Sequence, residues 1–188
     1  MTQPVGRDAM LNATRDLPSV RLSEIVLRTA RFQEANDWYQ AVLGIDPFLL
    51  NGQVSFRRLH TDYPYTQVLA IFNRPDLHDN DDKTSGLDHI QLRHATLGDM
   101  FTRYERLKAV GITPHRSMNH GPGTSFYYRD PDGNTVELSG PNFERERDYL
   151  AYFESEAFRK NIAGIPVDPD EFVGRFRRGE PLGELVRI

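Results

Sequence analysis

Hydrophobic and polar residues follow one order along the chain, first as a strand-type run and then as a helical pattern. The segment from Leu22 to Thr29 is a β-type run in which Ile25 and Leu27 share one face, which predicts a strand. From Phe32 to Leu43 the apolar residues recur every three or four positions, and Gly44 supplies a helix stop. Further strand patterns follow at 53–59 and 67–72. This part of the chain therefore predicts a strand, a helix and then more strands.

The same order begins again after a charged, turn-rich linker at 73–86. The second set comprises a strand at 87–94, a helix at 97–110, and strands at about 124–129 and 134–139. An offset of 65 residues aligns the two first strands, because Leu27 then falls on Leu92 and Arg28 on Arg93. Such an offset favours a duplicated unit.

The repeat predicts an α+β fold with two βαβββ modules, at 21–73 and 86–140, that together form a cupped mixed β-sheet. Before them, residues 1–20 are polar and aperiodic and predict a flexible N-terminal arm. After them, residues 141–188 predict a helical extension, with helices at about 144–160 and 168–178. Its apolar stripe is more typical of packing than of a cofactor site.

Titratable residues occupy matching positions on the predicted strands. At the offset of 65, Glu24 aligns with His89, and Glu137 stands between Val136 and Leu138. Because side chains alternate across a strand, all three point away from the core face. These residues belong either to the solvated faces of amphipathic sheets or to the polar lining of a cup.

Composition narrows the classes of function. The net charge is −4 and no basic stripe occurs, so nucleic acid is not an expected partner. The absence of cysteine excludes disulfides, thiolate zinc sites and a cysteine nucleophile. The chain has no apolar run long enough to cross a membrane and no signal-peptide pattern, so a cytoplasmic location is expected.

Four segments resemble the vicinal oxygen chelate (glyoxalase/bleomycin resistance/dioxygenase) superfamily. They are Leu22-Ser-Glu-Ile-Val-Leu-Arg-Thr29, Trp38-Tyr-Gln-Ala-Val-Leu-Gly44, Gly86-Leu-Asp-His-Ile-Gln-Leu92 and Tyr127-Tyr-Arg-Asp-Pro-Asp-Gly-Asn-Thr-Val-Glu-Leu138. The tail from Phe158 to Pro169 is similar to that of the single-domain extradiol ring-cleavage dioxygenases. The hairpin motif is shared across the superfamily and indicates the fold better than the reaction.

The resemblance implies a non-haem Fe(II) site with two histidines and one carboxylate, which leaves positions for a catecholate and O₂. By position, His89 is the second histidine and Glu137 the carboxylate, whereas Glu24 replaces the expected first histidine. A second carboxylate lowers the net charge of the site and suits harder ions, so Mn(II) is an alternative metal and a metal-free protein is another.

The resemblance also implies two catalytic residues. Tyr127, ten residues before Glu137, matches an active-site tyrosine that bonds a substrate oxygen, and His120 lies near the position of an acid–base histidine, with a spacing two residues shorter. The alternatives are a packed strand aromatic for Tyr127 and a loop histidine for His120.

Three functions follow from the resemblance. The first is an extradiol-type dioxygenase that acts on a small catechol-like aromatic substrate. The second is a non-catalytic cup that binds a small aromatic ligand, and the third is a divalent-metal isomerase or lyase. By analogy with single-domain members, the chain is expected to form a homodimer.

Overall fold

A computed structural model describes residues 20–64, 66–78 and 85–188 of the chain. Residues 1–19 of the predicted N-terminal arm lie outside the described residues, as does the middle of the predicted linker.

The first module begins with strand β1 (Glu24–Thr29) and helix α1 (Phe32–Leu43), and it continues with β2 (Leu49–Leu50), β3 (Val54–His60) and β4 (Gln67–Asn73). Helix α1 ends at Gly44, whose φ of 66° lies in the left-handed region and whose N–H bonds the Gln40 carbonyl. The helix therefore stops where its sequence pattern predicts.

The second module repeats this order with β5 (His89–Arg93), α2 (Leu97–Ala109), β6 (Arg116–Asn119), β7 (Gly123–Arg129) and β8 (Thr135–Pro141). Thr96 caps α2 by accepting a hydrogen bond from the Asp99 N–H. The short strand β6 is absent from the sequence prediction, because its residues, Arg-Ser-Met-Asn, lack an alternating apolar pattern.

The strands form two mixed sheets, β1-β4-β3-β2 and β5-β8-β7-β6-β9, where β9 (Ile165–Pro166) comes from the C-terminal extension and the other strands follow a matching order. In each sheet the first strand pairs in parallel with the last strand of its module. The α+β fold with two βαβββ modules is confirmed. The prediction of one sheet is refined, because each module forms its own hydrogen-bonded sheet.

Each sheet buries one face against the helices. Ile25 and Leu27 pack on the core from the first sheet, and Val136 and Leu138 are buried in it from the second. Fully burying an aliphatic side chain contributes about 1.5–3 kcal/mol, so this layer supplies much of the driving force for folding. Because side chains alternate along a strand, Glu24 and Glu137 each lie on the face of their sheet that points away from this core.

The Asp-Pro-Asp-Gly-Asn hairpin links the modules as well as turning the chain. The Asp130 carboxylate accepts hydrogen bonds from the backbone N–H groups of Asp132 and Asn134 at 3.0 and 2.8 Å. It also accepts one at 2.9 Å from the hydroxyl of Tyr39 on α1. Burial, and then the charge of Asp130, raise the pKa of Tyr39, so this hydroxyl remains a donor.

The C-terminal extension contains α3 (Glu146–Tyr152), α4 (Glu156–Lys160), β9 (Ile165–Pro166), α5 (Pro169–Arg177) and α6 (Leu182–Leu185). The single helix predicted at 144–160 is wrong, because Ser155 caps a new helix by accepting a bond from the Phe158 N–H. The helix predicted at 168–178 is present as α5, with Asp168 as its N-cap. Across the described residues, no helix is long and apolar enough to span a membrane.

Candidate active site

Four polar side chains named by the sequence analysis meet on the second sheet. His89 begins β5, Glu137 lies at the centre of β8, and Tyr127 faces Glu137 as its cross-strand partner on β7. His120 follows β6 in the loop that leads into β7. The pairing of β5 with β8 and of β7 with β8 therefore places these groups on the same face.

Glu137 is the central acceptor of this group and is only 3% exposed. Its Oε1 accepts hydrogen bonds from Gln91 Nε2 at 2.8 Å and from Ser125 Oγ at 2.5 Å. Its Oε2 lies 2.8 Å from His89 Nε2. A buried carboxylate needs such partners, and here both oxygens have them.

His89 lies between two carboxylates. Its Nδ1 is 2.5 Å from Asp88 Oδ2, while its Nε2 faces Glu137. The His89 side chain is 33% exposed, so it is the accessible member of the pair. The contact with Asp88 lowers the pKa of that carboxyl and orients the ring.

Tyr127 is the aromatic wall of the site. Its ring lies edge-on to His89, with ring centroids 5.8 Å apart. The guanidinium carbon of Arg116 lies 3.9 Å from the Tyr127 ring centroid, a cation–π contact. Burial, and then the charge of Glu137, raise the pKa of the Tyr127 phenol, so it keeps its proton at neutral pH.

His120 contacts Tyr127 from the loop side. Its Nε2 is 2.9 Å from the Tyr127 hydroxyl oxygen, and its Nδ1 is 3.0 Å from the carbonyl oxygen of Ala163 in the C-terminal extension. The two residues that the resemblance implies as catalytic are thus in direct contact. The His120–Tyr127 contact adjoins the His89–Glu137 pair, because the Tyr127 ring packs against the His89 ring.

Glu24 lies apart from this group. It is an exposed residue at the start of β1, on the first sheet, where its register partner is Val68. Within the ranges that the structure describes, no three His, Cys, Asp or Glu side chains form a group that could hold a metal ion. The structure brings together His89, Glu137, Tyr127 and His120, and it does not bring Glu24 to them.

The structure adds four residues to the site: Asp88, Gln91, Arg116 and Ser125. Strand parity already places Gln91 beside His89 and Ser125 beside Tyr127, so the sequence held a signal for both. Arg116 reaches the Tyr127 ring through the register of β6 on β7, a strand that the sequence pattern does not reveal. Asp88 has only its adjacency to His89 as a signal.

The pair of His89 and Glu137 fits two protein ligands of a divalent metal. An imidazole nitrogen and a carboxylate oxygen are donors that iron and manganese accept, and here the two atoms lie 2.8 Å apart. The hydrogen bond from His89 to Asp88 is the outer contact that metal-binding histidines commonly make. The described residues do not complete a three-ligand triad around this pair.

A family comparison agrees with this fold. Residues 21–138 match the model of the Glyoxalase/Bleomycin resistance protein/Dioxygenase superfamily. The chain belongs to this superfamily, as the paired modules and the polar face of the second sheet suggest.

Two curated relatives come from Rhodococcus globerulus. Biphenyl-2,3-diol 1,2-dioxygenase 3 is 35% identical over 168 residues, which cover 88% of this chain and 87% of the relative. Biphenyl-2,3-diol 1,2-dioxygenase 2 is 32% identical over 166 residues, with coverage of 88% and 86%. These relatives are dioxygenases, which supports an enzyme of the superfamily.

Solved structures show the same fold. The crystal structure of lactoylglutathione lyase from Agrobacterium tumefaciens is 22% identical, with a TM-score of 0.51, and the match covers 66% of this chain and 96% of that one. At this identity the likeness concerns the fold alone. The family match ends at residue 138, so the C-terminal extension lies outside it.

Proposed function

We propose that the protein is an extradiol-type dioxygenase that cleaves a small catechol-like aromatic with O₂ and a divalent metal, Fe(II) or, as the alternative, Mn(II). The observation that carries this proposal is the 2.8 Å contact between His89 Nε2 and Glu137 Oε2, beside Tyr127 and His120. The two dioxygenases from Rhodococcus globerulus support it.

His89 and Glu137 would hold the metal. Fe(II), when bound, supplies the Lewis acidity and the one-electron chemistry that insertion of O₂ into an aromatic ring requires. Asp88 orients His89, and Gln91 and Ser125 orient Glu137, so the two donors keep one geometry.

Tyr127 and His120 would handle substrate protons. The Tyr127 hydroxyl stays protonated, because its pKa is raised, and it can donate a hydrogen bond to a phenolic oxygen. His120 Nε2 lies next to that hydroxyl and is placed to accept a proton from a substrate hydroxyl. Arg116 packs on the Tyr127 ring and restricts its movement.

Anaerobic loading with Fe(II), followed by catechol and air, tests the proposal. The expected result is a coloured ring-fission product, with kcat lowered about 100-fold in His120→Gln, the usual contribution of a general acid–base group. Phe56→Leu, on the first sheet, is the matched control and should leave turnover unchanged. A loaded protein that forms no ring-fission product from any catechol would refute the proposal.

The role of Glu24 as an altered third ligand has its own test. If Glu24 binds the metal, Glu24→Ala should weaken Fe(II) affinity by about tenfold or more, and Glu24→His should strengthen it. Equal affinity in all three proteins would remove Glu24 from the ligand set.

The second candidate is a metal-free cup that binds a small aromatic ligand. The observation that favours it is that the described residues gather only two donors, with Glu24 on the other sheet. Binding of a catechol to chelator-treated protein, measured by calorimetry, identifies this function if affinity is unchanged when Fe(II) is added. The isomerase or lyase alternative has no observation in its favour, and the homodimer stays a prediction.

A further inference from the structure

We propose that the C-terminal extension fixes the proton of neutral His120 on Nδ1, through the carbonyl of Ala163, and that Gly164 is the residue that permits this contact. The inference rests on the proposed function, because that function makes His120 the proton acceptor. It assigns the extension a positioning role at the active site, in addition to packing.

The chemistry of the two contacts decides the tautomer. A backbone carbonyl oxygen can only accept, so at 3.0 Å from the Ala163 oxygen the His120 Nδ1 must carry the hydrogen. In neutral imidazole the other nitrogen is then an acceptor. Nε2 therefore accepts the O–H of Tyr127 at 2.9 Å. The reverse tautomer would place the Nδ1 lone pair against the carbonyl lone pairs.

Gly164 lets the extension come this close. Its φ is +79°, a conformation that residues with a Cβ rarely adopt. A Cβ at this position would lie 2.5 Å from the Asn119 carbonyl oxygen and 2.9 Å from His120 Nδ1. Any side chain at position 164 must therefore move the segment away from the His120 ring.

Strand β9 holds the segment in place. Ile165 pairs with Asn119 and Pro166 with Met118, so the extension adds a fifth strand to the second sheet directly after Gly164. The Val167 N–H continues this attachment by donating to the Ser117 carbonyl at 3.1 Å. The Ala163 carbonyl thus reaches His120 from a fixed strand.

The extension contacts the other side of the His120 loop as well. Asn119 donates from its side-chain amide to the Val186 carbonyl at 2.9 Å, and the Tyr152 ring packs on Gly121, where a Cβ would lie 2.2 Å from it. The residues before and after His120 are therefore both held by the extension. The backbone that carries the His120 ring is thus fixed on both sides.

The consequence for the site is a defined acceptor. When a substrate hydroxyl replaces Tyr127 at Nε2, the lone pair of that nitrogen is available and can take the proton. The resulting imidazolium still donates from Nδ1 to Ala163, so proton uptake breaks no contact. With the opposite tautomer, Nε2 would have no lone pair to offer.

Nitrogen-15 NMR of the histidine rings, at a pH where His120 is neutral, reads the tautomer without any metal or substrate. The expected spectrum of the wild-type protein shows the hydrogen on Nδ1, and that of Gly164→Ala shows a mixture of tautomers. Gly179→Ala is the matched control, because Gly179 has a similar φ of +81° but nothing within 4 Å of its added Cβ. It carries the same backbone strain and should keep the wild-type tautomer.

Two results would overturn the inference: a wild-type His120 protonated on Nε2, or a folded Gly164→Ala protein with the wild-type tautomer. If Gly164→Ala does not fold, the wild-type spectrum still decides. In the Fe(II)-loaded enzyme, kcat should fall about tenfold in Gly164→Ala and stay unchanged in Gly179→Ala. A correct tautomer without ring cleavage would refute the proposed function and leave this inference standing.

Discussion

The two sheets share one topology and differ in the chemistry of one face. The register pairs Val26 with Ala70 in the first sheet and Gln91 with Glu137 in the second. On the neighbouring strand, Phe56 faces Ala70 as Tyr127 faces Glu137. Equivalent positions are therefore apolar in one module and hydrogen-bonded in the other.

The partners of each face explain how the difference is maintained. Glu137 is buried and accepts hydrogen bonds from Gln91 and Ser125, whereas on the first sheet Val26 is 46% exposed. A polar face can be buried only when its groups are paired, while an apolar face tolerates exposure. Duplication supplied one scaffold twice, and the candidate active site lies on the second copy.

The largest effect is expected from a carboxylate placed in the first sheet, at the position equivalent to Glu137. Ala70 is fully buried, and its cross-strand neighbours Val26 and Phe56 offer no donor. Ala70→Glu should lower the free energy of unfolding by about 3 kcal/mol, the cost of burying an unpaired charge. Urea denaturation measures it, with Ala70→Val as the control for side-chain volume. A fully stable Ala70→Glu protein would mean that the first sheet also supports a polar site.

Removing the carboxylate from the second sheet has the next largest effect. Glu137→Ala leaves Gln91, Ser125 and His89 without their shared acceptor, which should cost about 2 kcal/mol of unfolding free energy. Glu137→Gln keeps one acceptor oxygen and should cost less. An unchanged midpoint in urea for Glu137→Ala would show that the polar face is not held by these bonds.

The second sheet should also be sensitive to alkali. The pKa of Tyr128 is raised, and burial is the largest cause. The folded protein therefore keeps the phenol proton of Tyr128 at pH values where the unfolded chain releases it. The stability from Tyr128 is complete below about pH 10 and is lost above it, by about 1.4 kcal/mol per pH unit. Tyr128→Phe should flatten this decline in unfolding experiments between pH 9 and 11. An equally steep decline in the variant would assign the pH dependence to other tyrosines.

Exchange of the two equivalent edge residues gives the smallest effects. Gln91→Val removes hydrogen bonds to Glu137 and Ser139 and should cost about 1 kcal/mol. Val26→Gln, at the repeat-related position, changes an exposed side chain and should stay within about 0.5 kcal/mol of the wild type. Equal effects in thermal unfolding would contradict the difference between the two faces.

Much of this architecture could be predicted from the sequence, because amphipathic periodicity and strand parity carry it. Helix α1, the repeat and the outward direction of Glu137 follow from spacing alone. Strands β2, β6 and β9 could not be predicted, since all three are short and take their pairing from the neighbouring strands. The break before Ser155 is a local cap that overrides a continuous helical pattern.

Within the site, the alternation of side chains along a strand predicts which residues share a face. It does not predict the distance between side chains that belong to different modules. It brings His89 to Glu137 because both lie in one sheet, two residues out of register and so on the same face. The offset of 65 makes Glu24 equivalent to His89 in the repeat. Equivalence in a repeat does not bring two side chains together, and Glu24 lies on the other sheet. The contact of His120 with Ala163 joins residues 43 positions apart and has no signal in the sequence.

Anaerobic titration of Fe(II) into wild-type protein, His89→Ala and Glu137→Ala tests the central claim most directly. The account predicts one bound Fe(II) per chain in the wild type and an affinity lowered about 100-fold or more when either donor is removed, since each is one of two protein ligands. Far-UV circular dichroism confirms that the variants are folded. Wild-type affinity in a folded His89→Ala protein would contradict the assignment of the metal site to the second sheet.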